Sequence, residues 1–374
     1  MKSRPVWAEI NLKAIKHNLL EVRRLVGEKK IMAVVKANAY GHGAFEVSRA
    51  CLEAGAERLA VAILNEAVEL RSKGIASSIM VLGWTPVEDY PRAIENNIIL
   101  TIFNLEEAKK LNETARALRK KIKIHLKVDT GMTRIGLVAN GENVNKAQEI
   151  INLSNLIVEG IFTHLAKADE LDKSYSYWQL ERFLEFVNKL ERAANYKIPL
   201  KHVANSAAII DLPEAHLDLV RPGIMLYGLK PSFEVNLSKV DLWPALALKA
   251  RVSRVEKFPK GTQVSYGGIF TAERETIVAS LPIGYADGYT RLLTGKAEVL
   301  YKNQRFPVIG KICMDQCMVD VTFGPEIKPG DEFILIGNGQ KYNISVDEIA
   351  HKLGTINYEV VCMISSRVPR IYIN

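Results

Sequence analysis

The chain has 374 residues, long for one compact domain at roughly 100–200 residues per domain, and its 48% hydrophobic content can fill more than one core. Its formal charge of +8 lies on segments where Lys and Arg alternate with Glu and Asp, a solvated helix-face pattern that argues against nucleic acid as a partner and suits small anions such as a phosphate ester. The start MKSRPVWAEI lacks an apolar signal region and no run of about 18 apolar residues follows, so the expectation is a cytoplasmic protein without a membrane span.

In chain order, Pro5–Ile10 reads as a strand within residues 1–10 that joins a later β domain, and a helix begins near Asn11. Eight short β-branched runs follow: IMAVV from Ile31, LAVAIL from Leu59, SIMVLG from Ser78, IILTIF from Ile98, KIKIHLKV from Lys121, LIVEGIFTH from Leu156, HVAN from His202 and HLDLVRP from His216. Amphipathic stretches such as AFEVSRACLEAG separate most of them, which implies parallel pairing through right-handed crossovers. Eight such units predict a (β/α)8 TIM-like barrel over residues 11–235. A doubly wound open sheet is the alternative, and no GxGxxG follows the first strand to support it. After Tyr227-Gly228 strand-like runs dominate, with one helix expected around Ser345–Leu353, so residues 236–374 are predicted to form a mainly β domain. Cys51, Cys313, Cys317 and Cys362 are too few for a disulfide framework and lack histidines at zinc spacing, so no metal is expected.

A barrel builds its active face from the carboxyl ends of its strands, and the unusual polar residues collect there. Lys36 ends strand one in AVVKANAYGHG, Asp129 to Arg134 follow strand five, His164 ends strand six, Asn205-Ser206 follow strand seven, and Arg221-Pro222-Gly223 end strand eight. Lys36 reads either as a lysine reaching to solvent or as one that holds a carbonyl cofactor as a Schiff base. Ser206 reads either as a helix cap or, with Gly223 and Ile224, as part of a phosphate cradle in the loops after strands seven and eight. A phosphorylated aldehyde bound opposite Lys36 points to pyridoxal 5′-phosphate.

The ordered series AVVKANAYGHG, HLKVDTGMTRIG, THLAKADE, ANSAA, VRPGIMLYG, VSYGG, PIGYADGY, GKICMDQ and INYEVVC resembles that of bacterial alanine racemases, fold-type III pyridoxal-phosphate enzymes, from about residue 4 to the C-terminus. The resemblance implies interconversion of L- and D-alanine, supplying D-alanine for peptidoglycan, with Lys36 and Tyr266 as two catalytic bases. It implies that Tyr40, Ser206, Gly223, Ile224 and Tyr358 cradle the cofactor phosphate. By the same resemblance Arg221 partners the pyridine nitrogen, Arg134 donates to the ring phenolate and contacts substrate, and His164 supports Arg221 and the ring. Met314 matches a substrate-carboxylate contact, Tyr285 a residue of the access corridor, and Lys127 a lysine carbamylated in some members. A homodimer with shared active sites is implied as well. The chain departs at Leu165, where an aromatic is common, and at Thr133, where glycine is frequent.

The chemistry agrees with this resemblance. Racemisation needs a base on each face of a planar carbanion, each able to return a proton. Lysine and tyrosine, with reference values near 10, serve once neighbouring cations lower them. A guanidinium opposite the pyridine nitrogen disfavours ring protonation, which suppresses side reactions. The rival readings are a racemase of serine or another small amino acid, a non-catalytic pyridoxal-phosphate carrier, and a decarboxylase. The carrier would be a barrel alone, and the decarboxylase would place an acid where Arg221 stands.

Overall fold

The computed structural model describes residues 4–339 and 341–374, and these form two compact units. One comprises residues 15–39 and 44–243; the other comprises residues 4–14, 40–43, 244–339 and 341–374.

The first unit is the barrel. Its strands are Lys30–Val34 (β1), Arg58–Val61 (β2), Ser78–Val81 (β3), Ile99–Ile102 (β4), Ile122–Asp129 (β5), Leu156–Phe162 (β6), Leu200–His202 (β7) and Leu219–Val220 (β8). All neighbours run parallel in the order β8-β1-β2-β3-β4-β5-β6-β7. Between β7 and β8 the Asp218 N–H donates to the Lys201 carbonyl (3.1 Å) and the Arg221 N–H to the Ala204 carbonyl (3.0 Å), so the ring is nearly closed. Strands such as Ile99–Ile102 are buried throughout, which is why they read as continuous apolar runs. The crossover helices start on side-chain caps: Asn104 accepts from the Glu106 and Glu107 amides, and Asn140 from that of Asn143.

Strand seven ends at His202, whereas the HVAN run predicts a strand beginning there. Strand two stops at Val61 because Leu64 already opens a helix. Between β5 and β6 the register slips: Ile124 pairs with Val158 but His125 with Gly160, leaving Glu159 as a β-bulge residue.

The second unit is mainly β. Its main sheet orders Arg254–Phe258, Thr276–Leu281, Cys317–Asp320, Gln304–Ile309, Glu298–Tyr301, Glu332–Asn338, Leu246–Arg251, Val6–Asn11 and Arg370–Ile373. Val6–Asn11 lies antiparallel to Leu246–Arg251 and parallel to Arg370–Ile373. Trp7 and Phe333 are fully buried in it, and the Tyr301 ring stacks on Phe333 with centroids 5.0 Å apart. Besides the expected helix at Val346–Leu353, the structure has a second at Asn357–Met363. Among the described residues no helix is long and apolar enough to cross a membrane, and no group of three or more His, Cys, Asp or Glu side chains is placed to hold a metal ion.

Candidate active site

Lys36 stands just past β1, and the chain then takes an unusual path. Ala37, Asn38, Ala39 and Tyr40 all have left-handed backbones, with φ of 52°, 53°, 54° and 51°. That conformation costs an L-residue about 1–2 kcal/mol, so the turn persists only where its surroundings hold it. Three contacts do so. The Ala39 N–H donates to the Val35 carbonyl (2.8 Å), the Asn38 Oδ1 accepts from the Ala44 amide (2.8 Å), and the Glu66 Oε1 accepts from the Ala37 amide (2.6 Å). The other Glu66 oxygen accepts from the Ala62 (2.8 Å) and Ile63 (3.4 Å) amides at the start of the helix that bears Glu66. One carboxylate thus ties the turn after Lys36 to the neighbouring strand end.

Arg221 is fully enclosed. It donates to His202 Nδ1 (2.8 Å) and to the Thr163 (2.8 Å) and Val203 (2.9 Å) carbonyls, and it lies 3.5 Å from His164 Nδ1. Burial and the charge of Arg134 push its guanidinium down to about 9, so it remains charged at neutral pH. Burial, then the charges of Arg221, Arg134, Lys127 and Lys36, hold His164 well below its usual value. Lys127 is buried, donates to the Val128 carbonyl (2.8 Å) and sits 5.4 Å from the Phe162 ring centroid; burial first, then Arg221, pushes its amine down to about 7. Arg221 lies the same 5.4 Å from that ring.

Asp129 accepts from the Gly131 (2.9 Å) and Thr133 (3.0 Å) amides, which turns the loop toward Arg134. Thr133 there has φ 59°, a conformation that favours glycine and disfavours a β-branched residue. In the loops after β7 and β8, Ser206 Oγ accepts from the Gly223 (2.9 Å) and Met225 (3.4 Å) amides. The cap of the short helix Ser206–Asp211 is Asn205, whose Oδ1 accepts from the Ala208 amide (3.0 Å), so the capping alternative for Ser206 falls. The backbone around Ile224 therefore gathers round a buried hydroxyl, and the basic side chains Arg221, Arg134, Lys127 and Lys36 all bear on His164. That combination fits a phosphorylated, anionic cofactor.

The remaining candidates lie in the β unit. Tyr40 is buried with its ring 6.1 Å from that of Tyr358, and Gly41 is obligatory: a Cβ there would sit 2.2 Å from the Val361 carbonyl oxygen at φ 81°. Tyr266 follows Ser265, whose left-handed backbone (φ 66°) is held by its hydroxyl donating to the Lys311 carbonyl (2.6 Å). The Tyr266 side chain is 66% exposed on an open cleft of about 480 Å³ that includes Cys313, Gln316 and Met318. Tyr285 and Met314 belong to one stitched pair of turns: the Tyr285 N–H donates to the Cys313 carbonyl (3.1 Å) and the Ala286 N–H to that of Met314 (3.0 Å). Asp287 anchors the first turn through a bidentate pair with Arg4 (2.6 and 2.8 Å).

Residues 10–231 match the family described as alanine racemase, N-terminal domain, and residues 245–372 match alanine racemase, C-terminal domain. The chain belongs to the alanine racemase family. It is 52% identical over 370 residues to an alanine racemase of Desulforamulus reducens, covering 99% of each chain, and 50% identical to alanine racemase 1 of Clostridium acetobutylicum, covering 99% of this chain and 96% of the other. Among solved structures, the alanine racemase of Clostridium difficile superposes with a TM-score of 0.97 at 44% identity, over 100% of this chain and 97% of that one. That of Bacillus anthracis with bound L-Ala-P superposes at 0.94 and 38% identity, over 99% and 95%. Enzymes of this family depend on pyridoxal phosphate. Within the racemase barrel, the sequence reading did not single out His125, Glu159, His202 or Glu66. His202 gives Arg221 a shorter contact than His164 does, and nothing in the HVAN run marks it beyond being a histidine at a strand end.

Proposed function

We propose that this chain is an alanine racemase that interconverts L- and D-alanine with pyridoxal 5′-phosphate held at Lys36, supplying D-alanine for peptidoglycan. The observation that carries the reading is the ring of strand-end groups in the barrel, centred on the buried guanidinium of Arg221 beside Lys127 and His164. When bound, the cofactor supplies an electron sink for the substrate α-carbon. Ser206, with the Gly223 and Ile224 backbone, Tyr40 and Tyr358, holds its phosphate. Arg221, still charged at neutral pH, would face the ring nitrogen and disfavour its protonation. Arg134 donates to the phenolate oxygen and, with the Met314 backbone, to the substrate carboxylate. Lys36 Nζ and Tyr266 Oη then take the α-proton from opposite faces, and whichever is protonated returns it.

Lys127 is the natural site for a carbamate. Its neutral amine can attack carbon dioxide, forming an N–C bond and releasing one proton, and the resulting anion would orient Arg134. Plain ammonium beside Arg134 and Arg221 would be a costly like-charge cluster.

The active unit is read as a homodimer with shared sites. A tyrosine base that is 66% exposed within its own chain, with Met314 and Tyr285 also exposed in the same unit, needs a second surface to exclude water. That surface is taken to be the barrel of a second copy. Tyr285 then lines the access corridor.

Lys36→Ala tests the assignment. It should remove the visible absorbance of a Schiff-base pyridoxal and nearly all conversion of L-alanine to D-alanine; a borohydride-reducible adduct persisting in the variant places the cofactor on another lysine. Wild-type protein that turned over serine faster than alanine would move the substrate to the alternative reading.

A further inference from the structure

A line of buried polar groups runs from Arg221 into the barrel, away from the rim. The Arg221 Nη1 meets His202 Nδ1 at 2.8 Å, His202 Nε2 meets His125 Nδ1 at 2.8 Å, and His125 Nε2 meets Glu159 Oε2 at 3.4 Å. Glu159 is in turn paired with Arg58 (2.6 Å), the first residue of β2, and with Lys123 (2.7 Å) near the start of β5. Both histidines are fully buried.

The proton positions in this line follow from what each group can do. A guanidinium has no acceptor, so Arg221 must donate and His202 Nδ1 must be bare. A buried, neutral His202 then carries its proton on Nε2 and donates it to His125 Nδ1. His125 therefore carries its own proton on Nε2, aimed at the Glu159 carboxylate. Every donor finds one acceptor in a single direction. Reversing either ring would set two donors or two bare lone pairs against each other.

The backbone is built around this line. Glu159 is the bulge residue of β6, the position where a strand turns a side chain out of its regular alternation. The next residue, Gly160, pairs with His125, and a Cβ there would lie 2.5 Å from His125 Nδ1. Phe162 stacks flat on His202, rings 4.8 Å apart at 4°.

We propose that Glu159 is a positioning residue for Arg221, acting through a tautomer lock in which His125 and His202 are both fixed in the neutral Nε2–H form. The carboxylate fixes the first ring, the first ring fixes the second, and the second presents one lone pair to the guanidinium. Of the charged groups that face the line, Arg58 and Arg221 disfavour a second proton on either ring, and Glu159 favours one on His125 but is itself held by Arg58 and Lys123. Burial disfavours it too, and both histidines are held below their usual value chiefly by burial. Without the lock, His125 can present an N–H to His202, and Arg221 loses its partner. The catalytic consequence rests on the proposed contact between Arg221 and the cofactor ring; the lock itself does not.

The test is nitrogen-15 NMR of the histidine rings in the intact, cofactor-loaded protein, combined with kinetics. In the wild type, His125 and His202 should both show a bare Nδ1 and a protonated Nε2, unchanged between about pH 6 and pH 9. A proton on either Nδ1, or titration of either ring in that range, overturns the proposal. Glu159→Ala should move His125 to the other tautomer or to a mixture and lower kcat on the order of tenfold, with KM within about twofold. Glu159→Gln keeps a carbonyl acceptor and should retain both the tautomers and most of kcat. A folded Glu159→Ala variant with unchanged ring spectra and unchanged kcat removes the role assigned to Glu159. If Glu159→Ala does not fold, the wild-type spectra and Glu159→Gln decide. Locked tautomers in a protein that binds no pyridoxal phosphate would sustain the lock and sink the cofactor reading instead.

Discussion

Glu66→Ala probes how the lysine turn is held. The carboxylate accepts from the Ala37 amide at 2.6 Å and from Ala62 at 2.8 Å, both charge-assisted hydrogen bonds, each of which contributes about 1.5–3 kcal/mol net. Ala37 is exposed, so water replaces part of its bond when the carboxylate is removed, and the lower end of that range applies there. Meanwhile four consecutive left-handed residues store about 1–2 kcal/mol each, which the remaining contacts from Val35 and Asn38 must then hold alone. The Ala37 bond is the one that reaches the turn, so the free energy of local opening around residues 37–43 should fall by about 1.5–2 kcal/mol. At 1.36 kcal/mol per factor of ten, that is roughly 10- to 30-fold faster amide exchange in this segment. Hydrogen exchange read by mass spectrometry on the intact protein measures it, with a peptide from Leu105–Ala117 as the internal control. Glu66→Gln, which keeps one acceptor oxygen, should fall between the two. Exchange in residues 37–43 unchanged within threefold would refute the view that Glu66 clamps the turn.

Three further expectations follow from the site. Lys127, pushed down to about 7 from an ordinary 10.5, is neutral in the folded chain but protonated in the unfolded one between those values, so the unmodified lysine makes stability rise with pH across that window. Carbamate formation needs the same neutral amine, so its carbon-13 signal after labelled bicarbonate should grow as pH rises through about 7; no signal distinguishable from a Lys127→Arg control removes the modification. Thr133→Gly should stabilise the protein by about 0.5–1 kcal/mol with turnover preserved, since the left-handed strain at φ 59° exceeds the added chain entropy of glycine; destabilisation in denaturant titration contradicts that backbone. Mixing Lys36→Ala with Tyr266→Ala subunits under verified exchange should restore up to about a quarter of wild-type activity, because half of randomly paired dimers then hold one intact site of two. No recovery would mean that Tyr266 acts within its own chain or not at all.

The parts of this molecule legible in its sequence are those where local pattern and global position coincide. Barrel strands buried on both sides leave runs such as IMAVV and IILTIF, and alternation with amphipathic helices then dictates parallel closure. Strand ends follow less closely, because His202 and Val61 are terminated by what the next segment packs against rather than by their own preferences. The helix at Asn357–Met363 is hidden for the same reason: its β-branched Val360 and Val361 are helical only because they are buried on the β unit. Residues that reach the rim as a lone lysine or arginine after an apolar run stand out, and Lys36 and Arg221 do.

The residues that hold those groups in place do not stand out, and the physical reason is common to them. Glu66 looks like an ordinary helix-start acid, and it acts on Lys36 through a backbone amide that carries no side-chain identity. Glu159 looks like a polar break in an apolar strand; only the slip of one residue between β5 and β6 turns it inward. Gly160 looks like a weak point of the same strand until His125 occupies the space its side chain would take. Each acts across a separation of tens of residues through a direction set by backbone geometry. Sequence spacing records which groups reach the rim, while the register of neighbouring strands decides which way they face and what holds them there. Arg221 stands out by its motif, but the orientation of its charge depends on His202, His125 and Glu159, whose alignment exists only once the barrel has closed.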